Sequence, residues 1–393
     1  MRKIKHTKRT ILEFCFVLPA LILYSIFVIY PLFGGIYYSL TDWNGISASW
    51  NFIGFKNYTE MLHDKYVMKP LVNSFIYAFF TTIILNVIGI AMALAVESLR
   101  HGKNFFRAWL YMPSVLSSIV VGFIFNFVFA NPIEELGKLL GNEAMANNLL
   151  GNKSYALAMC VLVASWIGAG WYMVIYIAGL QGIDQSLYDS AMIDGTTAWQ
   201  KFRYITFPML APSFTINMVL AVERAFKEYN LVFALTGGGP GRSSELVSLT
   251  IYNESFTNKR AGYGSALGVV LFIIIVAITL FQMKFLRRRE DNVRGKLHKK
   301  HRNPAGLIFT LICAAGVFYP FFIMLTGSVK STKEALISPN SLPTEIHLEN
   351  FVKAWISMDF TRVLANTVFI TVLSVAGGII FTAFAAYPIG LSR

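Results

Sequence analysis

Long apolar runs alternate with short polar stretches along the whole chain. The runs read at residues 11–40, 71–97, 107–130, 154–180, 209–236, 264–286, 304–326 and 363–389. A helix needs about twenty apolar residues to cross a bilayer core, and each run is long enough. The pattern predicts an all-α polytopic membrane protein with eight spans. The first run follows Arg2, Lys3, Lys5, Lys8 and Arg9 and ends in Tyr30-Pro31 and Tyr37-Tyr38. A signal peptide opens similarly, but its apolar core is about 7–15 residues with a cleavage site behind it. This run is too long for that and predicts a first transmembrane helix. One polar island breaks the pattern. Residues 181–210 mix charge, glycine and aromatics between two apolar runs, and they offer a soluble partner a place to meet the chain.

Composition agrees with the pattern. The 393 residues are 55% hydrophobic and 14% charged, against roughly 25% charged in soluble domains. The net charge of +13 would suit nucleic acid, but the cations cluster at the ends of apolar runs, and no nucleic-acid partner is expected. With the N-terminus inside, twenty of the 34 Lys and Arg fall in cytoplasmic segments and twelve in outer loops. That bias places the N-terminus and the 181–210 loop in the cytoplasm of a bacterial plasma-membrane protein. Cys15, Cys160 and Cys313 lie inside apolar runs and suggest neither a disulfide framework nor a metal site.

The chain also resembles itself. Tyr30-Pro31 recurs as Tyr319-Pro320, 289 residues on. Asn57-Tyr58 recurs as Asn350-Phe351, Leu71-Val72-Asn73-Ser74 as Leu364-Ala365-Asn366-Thr367, and Arg100 as Arg393, all 293 residues on. A near-constant offset predicts a duplication. The expected organisation is a complete domain over 1–290, a basic cytoplasmic linker over 291–303, and a partial second copy over 304–393 that stops after two helices. The linker reads as a solvated connection, and contact with anionic membrane lipid also suits it.

Within the island, Tyr188-Asp189-Ser190-Ala191 is followed by Asp194-Gly195, then Trp199, Phe202, Ile205 and Pro208. Ser186 is expected to cap a short helix and Gly195 to end it, because glycine tolerates positive φ. Trp199, Phe202 and Ile205 recur on one side of the next helix. Pro208 suits the first turn of the following span. This stretch resembles the EAA loop of permease subunits of binding-protein-dependent ABC importers, with Asp189 in place of the motif's Glu and Ser190 in place of its first Ala. Gly195, Phe202, Ile205 and Pro208 match the pattern. Leu18-Pro19-Ala20, the Phe52 to Tyr58 loop, and Leu235 to Pro240 before Gly262-Tyr263-Gly264 are similar to the maltose, lactose and glycerol-phosphate branch.

The resemblance implies a type I ABC importer transmembrane domain of six helices, followed by about two helices of a second-type permease. It also implies that Tyr188, Asp189, Ser190, Ala191, Asp194, Gly195, Phe202, Ile205 and Pro208 form an ATPase-coupling loop. The implied partners are ABC ATPase subunits that bind the ATP, a second permease chain carrying another EAA loop, and an extracytoplasmic solute-binding protein. The chain itself then has no cofactor, no catalytic residue and no enzymatic activity, and it carries a sugar or related polyol.

Charges interrupt the 209–236 run. Glu223 stands i,i+4 from Lys227, and Arg224 from Glu228, which predicts two ion pairs on a helix. A charge at a bilayer centre costs about 2.5–3.5 kcal/mol on insertion scales, so these residues are expected to face a cavity or each other. With Asn217 and Tyr229 they are candidates for the translocation path. Gly237-Gly238-Gly239-Pro240 reads as a flexible outer turn, and Trp166 and Trp171 as packing residues. Gly102-Lys103, Gly137-Lys138 and Gly295-Lys296 lack the upstream glycine of a phosphate loop. Two other readings fit these residues. One is an ion-coupled secondary transporter working through the 223–228 charges. The other is a non-transporting fusion or truncation remnant, suggested by the interrupted second copy.

Overall fold

The computed structural model describes Leu18, residues 21–290 and residues 304–391. The basic stretch 1–10, the linker 291–303 and the repeat anchor Arg393 lie outside the described residues. Among the described residues the secondary structure is helical, apart from one isolated β-bridge between Thr41 and Phe52.

Seven helices are long and apolar enough to cross a bilayer, and one bent pair passes the same test together. The first is α1, Leu21–Tyr38. The second, α2, runs Lys65–Ser98 and starts on the Asp64 carboxylate, which accepts the Tyr66 N–H at 2.8 Å. Its 34 residues span about 50 Å at 1.5 Å per residue, so it extends beyond the hydrocarbon layer. The fourth apolar run is α5, Ala156–Gln181. Together α2 and α5 form the spine of the fold.

Small residues let the spine pack closely. A Cβ on Gly89 would lie 3.2 Å from the Tyr172 Cβ, and one on Gly168 would lie 2.8 Å from the Leu85 side chain. Such close approach is how membrane helices gain dispersion contacts where lipid offers no hydrophobic drive. Asn86 and Tyr176 are buried between the two helices, and their side chains hydrogen-bond to each other. Gly170 is closer still to its neighbour, since a Cβ there would sit 2.2 Å from the Leu110 carbonyl oxygen. Gly170→Val is therefore expected to destabilise the core by at least the about 1–3 kcal/mol of ordinary overpacking. Thermal unfolding of the purified chain in detergent checks this.

The 107–130 run is not one span. It forms an amphipathic helix α3, Lys103–Tyr111, a 3-10 turn over Met112–Val115, and α4, Ser118–Ala130. Pro113 has no N–H to continue the helix, and Leu116 and Ser117 are extended at ψ 146° and 130°. The chain resumes with α10, Ala261–Glu290, after the site region, then α11, Pro304–Ser328, and α12, Phe360–Leu391.

The segment after the linker is joined to the first part. Trp109 Nε1 donates to the Ala314 carbonyl at 3.1 Å, and Trp166 Nε1 to the Gly316 carbonyl at 3.2 Å. Trp166 thus packs as expected, and its partner is α11. Asn340 Nδ2 donates to the Glu135 carboxylate at 3.0 Å. Two asparagines of the repeat make the same local structure. Asn57 Nδ2 donates to the Ser39 and Thr41 carbonyls, and Asn350 Nδ2 to the Ser328 and Lys330 carbonyls.

The glycine-rich turn over Gly237 to Pro240 is not a loose loop. Asn73 Nδ2 donates to the carbonyls of Arg242, Ser243 and Glu245 at 3.0–3.2 Å. Ser74 Oγ accepts the Val247 N–H, and Arg242 pairs with Glu245. Gly238 reaches φ +84°, and a Cβ there would also crowd Leu249. The glycines permit a compact turn sealed onto α2, which composition alone read as flexibility.

Candidate functional site

Two features converge on the residues between α5 and α10. The first is the polar island. Its opening helix α6 runs Gln185–Ile193, and its cap is Asp184, whose carboxylate accepts the Ser186 N–H at 2.9 Å. The cap expected at Ser186 therefore sits two residues earlier. Ser186 O instead accepts from Ser190 Oγ at 2.8 Å, and Asp189 Oδ1 accepts from Gln185 Nε2 at 3.2 Å. The helix ends in a Schellman pair: Gly195 N–H bonds the Met192 carbonyl at 3.1 Å and Thr196 N–H the Ala191 carbonyl at 3.0 Å. Gly195 has φ +69°, the left-handed conformation that closes such a pair.

The chain then reverses into α7, Ala198–Met209, opened by a capping box between Thr197 and Gln200. Pro208 lacks the N–H for a bond to Tyr204, and a π-turn over Phe202–Thr206 forms just before it. Tyr188 Oη and Thr206 Oγ1 lie 2.7 Å apart and tie the two arms together. Burial pushes the Tyr188 phenol above its ordinary pKa, while the Thr206 hydrogen bond works the other way. Ala191 is buried, Asp194 is exposed, and Phe202 and Ile205 are half-buried. Tyr188 and Phe202 pack on the cluster that includes Tyr172, Met173 and Ile183. The result is an elbow whose inner side is anchored. Its outer side presents Ile193 at 88%, Trp199 at 69% and Tyr204 at 74% exposure. Trp199 stands beside Phe202 as expected, with ring centroids 5.6 Å apart, yet most of its surface is exposed.

The second feature begins where α7 turns by 67° into α8, Ala211–Phe226. The 209–236 run breaks again at Lys227 to Tyr229, and α9 follows over Asn230–Thr236. Glu228 makes the break, because its carboxylate accepts the Leu231 N–H at 2.9 Å and serves the start of α9. Of the two ion pairs expected on a continuous helix, Glu223 and Lys227 form theirs at 2.5 Å. The pair between Arg224 and Glu228 is absent among the described residues, since the helix that would align them has ended.

Around the break lies a cavity of about 400 Å³ lined by Ser118, Trp171, Glu223, Arg224, Lys227 and Tyr229, with Glu228 also on its wall. A smaller recess of about 20 Å³ continues inward past Tyr77, Thr81, Tyr172 and Arg224. Arg224 lines both. The guanidinium offers five donors to the space, and Glu223 and Glu228 offer acceptors. The Tyr229 ring packs beside the rings of Phe233 and Tyr252, with centroids 5.4 and 5.0 Å away. Asn217 is not on this wall. It is fully buried, and its Nδ2 donates to the Tyr172 carbonyl at 3.2 Å, holding α8 to α5. Trp171 packs against the core as expected, and it also lines the cavity. Ser118 could have been found from Pro113, because a proline break next to a short amphipathic helix frees the following residue to face inward.

Residues 85–292 match the model of the binding-protein-dependent transport system inner membrane component family. The chain belongs to that family. This permease is a non-enzymatic transport component and a multi-pass membrane protein. It is similar to the probable starch degradation products transport system permease AmyD of Thermoanaerobacterium thermosulfurigenes, at 32% identity over 74% of this chain and 98% of that one. The multiple sugar-binding transport system permease MsmF of Streptococcus mutans is 32% identical, over 70% of this chain and 95% of that one. The sn-glycerol-3-phosphate transport permease UgpA of Agrobacterium fabrum is 30% identical, over 71% and 96%. A chain of a bacterial alginate ABC transporter, solved in complex with a periplasmic protein bound to an alginate pentasaccharide, shares the fold. It superposes with a TM-score of 0.65 at 20% identity, over 73% of this permease and 98% of that chain.

Proposed function

We propose that the permease forms one side of the path of an ATP-driven importer for a sugar, a sugar phosphate or a related polyol. A separate ATPase binds the ATP and docks on the elbow over 184–209, with the exposed Ile193, Trp199 and Tyr204 as its contact. The elbow carries the reading: an anchored inner side, an exposed apolar outer side, and a direct covalent run through α7 and α8 into the charged cavity. A solute-binding protein delivers substrate to the outer loops, and the N-terminus lies in the cytoplasm. A second permease chain supplies the other coupling loop.

The domain reading is that 1–290 is one complete permease domain, 291–303 a basic linker and 304–393 the start of a second copy. The matching hydrogen bonds of Asn57 and Asn350 support it. The sugar class rests on the named substrates of the relatives and on a cavity wall rich in paired donors and acceptors, which suits hydroxyl groups.

Reconstitution tests the whole reading. Proteoliposomes holding this chain with its ATPase, second permease and binding protein are expected to accumulate labelled sugar only with internal ATP. Proteoliposomes with this chain alone are expected to show no flux. ATP-independent flux through the chain alone would defeat the proposal.

A further inference from the structure

Glu97 is the penultimate residue of α2, at the end from which the elbow leaves. Its carboxylate accepts from Lys103 Nζ at 2.7 Å, from the Arg107 guanidinium, and from Gln181 Nε2 at 3.1 Å. The partners come from two other elements. Lys103 and Arg107 stand on the first two turns of α3, and Gln181 is the last residue of α5. Three helix ends therefore meet on one half-buried carboxylate.

What flanks this junction gives it meaning. Gln181 is three residues from Asp184, the cap of α6. Between them Ile183 is buried in the same cluster as Tyr172 and Tyr176, so the connection is short and held. On the other side α3 leads through the Pro113 turn to Ser118, which lines the charged cavity with Arg224. The C-terminal end of α3 is fixed independently, because the Leu110 carbonyl lies against Gly170. Its N-terminal end is tied to α5 through Glu97. Without that carboxylate, Lys103 and Arg107 become like charges at i,i+4, which repel. The first turn of α3 can then shift while Phe106, Trp109 and Leu110 stay packed on the core.

We infer that Glu97 is a positioning residue that makes α3 follow the elbow, so that a push on residues 184–209 reaches the Ser118 side of the cavity. The inference rests on the docking proposal above. Coupling claims need an element that moves between two arrangements, and the test measures that movement.

The assembled complex, purified with its ATPase through this chain, is spin-labelled in pairs after replacement of the native cysteines. Ser186→Cys reports on α6, Asn104→Cys on the start of α3 and Phe281→Cys on α10. Distances are read by double electron–electron resonance without nucleotide and with ATP plus vanadate. The 186–281 distance is expected to change with nucleotide in every variant. With Glu97 present, the 104–186 distance is expected to stay constant between the two states. In Glu97→Ala it is expected to shift by several ångströms between them, and Glu97→Asp should restore the constant distance. A merely structural role would lower thermal stability and leave the 104–186 pair moving together. A 104–186 distance that stays constant in Glu97→Ala, or already shifts with Glu97 present, overturns the inference. If no ATPase co-purifies, or if 186–281 ignores nucleotide, the docking proposal fails and takes the inference with it.

Discussion

Gly195→Val is expected to abolish ATP-driven uptake while the permease reaches the membrane at its normal level. Gly195 has φ +69°, and a Cβ there would meet nothing within 4 Å, so the change introduces no clash. Its effect is conformational. The left-handed region costs a non-glycine residue roughly 1–2 kcal/mol, and a β-branched residue is an outlier there. Valine would pull residue 195 out of the Schellman pair, release the Met192 and Ala191 carbonyls, and change the angle between α6 and α7. The core helices do not depend on this turn, so insertion and folding should persist. Uptake should fall at least tenfold, and recovery of ATPase with the permease should fall alongside it. Gly195→Asn is the control, since asparagine tolerates this conformation better than other side chains. It should keep most of the activity, and equal activity of the valine and asparagine variants would contradict the elbow geometry.

Arg224→Leu is expected to give the second large effect, on substrate and not on coupling. Arg224 lines both the cavity of about 400 Å³ and the recess beyond it. It forms no ion pair among the described residues, and on the proposed path its donors are open to a substrate. A hydrogen bond to a charged group is worth about 1.5–3 kcal/mol, so its loss should lower uptake efficiency about tenfold to hundredfold. Labelled uptake across a substrate concentration series measures it. ATPase recovery with the permease should be unchanged, because α8 lies beyond the elbow. Arg224→Lys should rescue in part, as a point charge replaces a planar fork. Unchanged uptake by the leucine variant would remove Arg224 from the path.

Much of the fold was legible because apolar run length is a strong signal in a bilayer. Runs such as 71–97, 154–180 and 264–286 correspond to α2, α5 and α10 within a few residues. The two misread runs share a physical cause. At Pro113 and again at Glu228 the sequence stays apolar enough to average as a span, yet one residue ends the helix. Pro113 does so by lacking a donor, and Glu228 by capping a new helix from inside the old one. Hydropathy averages over such points. For the same reason the Arg224–Glu228 pair was expected on a helix that does not continue.

In the elbow, turn chemistry was readable and exposure was not. Gly195 announced the positive φ of the turn. No pattern separated Trp199, which is exposed, from Phe202, which packs inward, because both stand on one helical stripe. Asn217 illustrates the opposite limit. A polar residue in a span invites a functional reading, and its role is to bond a carbonyl of the neighbouring helix. Asn73 does the same work for the turn over Gly237 to Pro240, so that three glycines and a proline form a sealed structure. Asn57 and Asn350, paired by the expected repeat, make matching local structure, since each serves two carbonyls two residues apart.

Site-specific photo-crosslinking in membranes addresses the central claim most directly. A photoreactive phenylalanine analogue is placed at Ile193, at Trp199, or at Phe256, which is also exposed but lies on the outer side in this topology. Adducts are identified by mass spectrometry. The account predicts adducts with a nucleotide-binding ATPase subunit from positions 193 and 199, and none from 256. No ATPase adduct at 193 and 199, or ATPase capture from position 256, would contradict it.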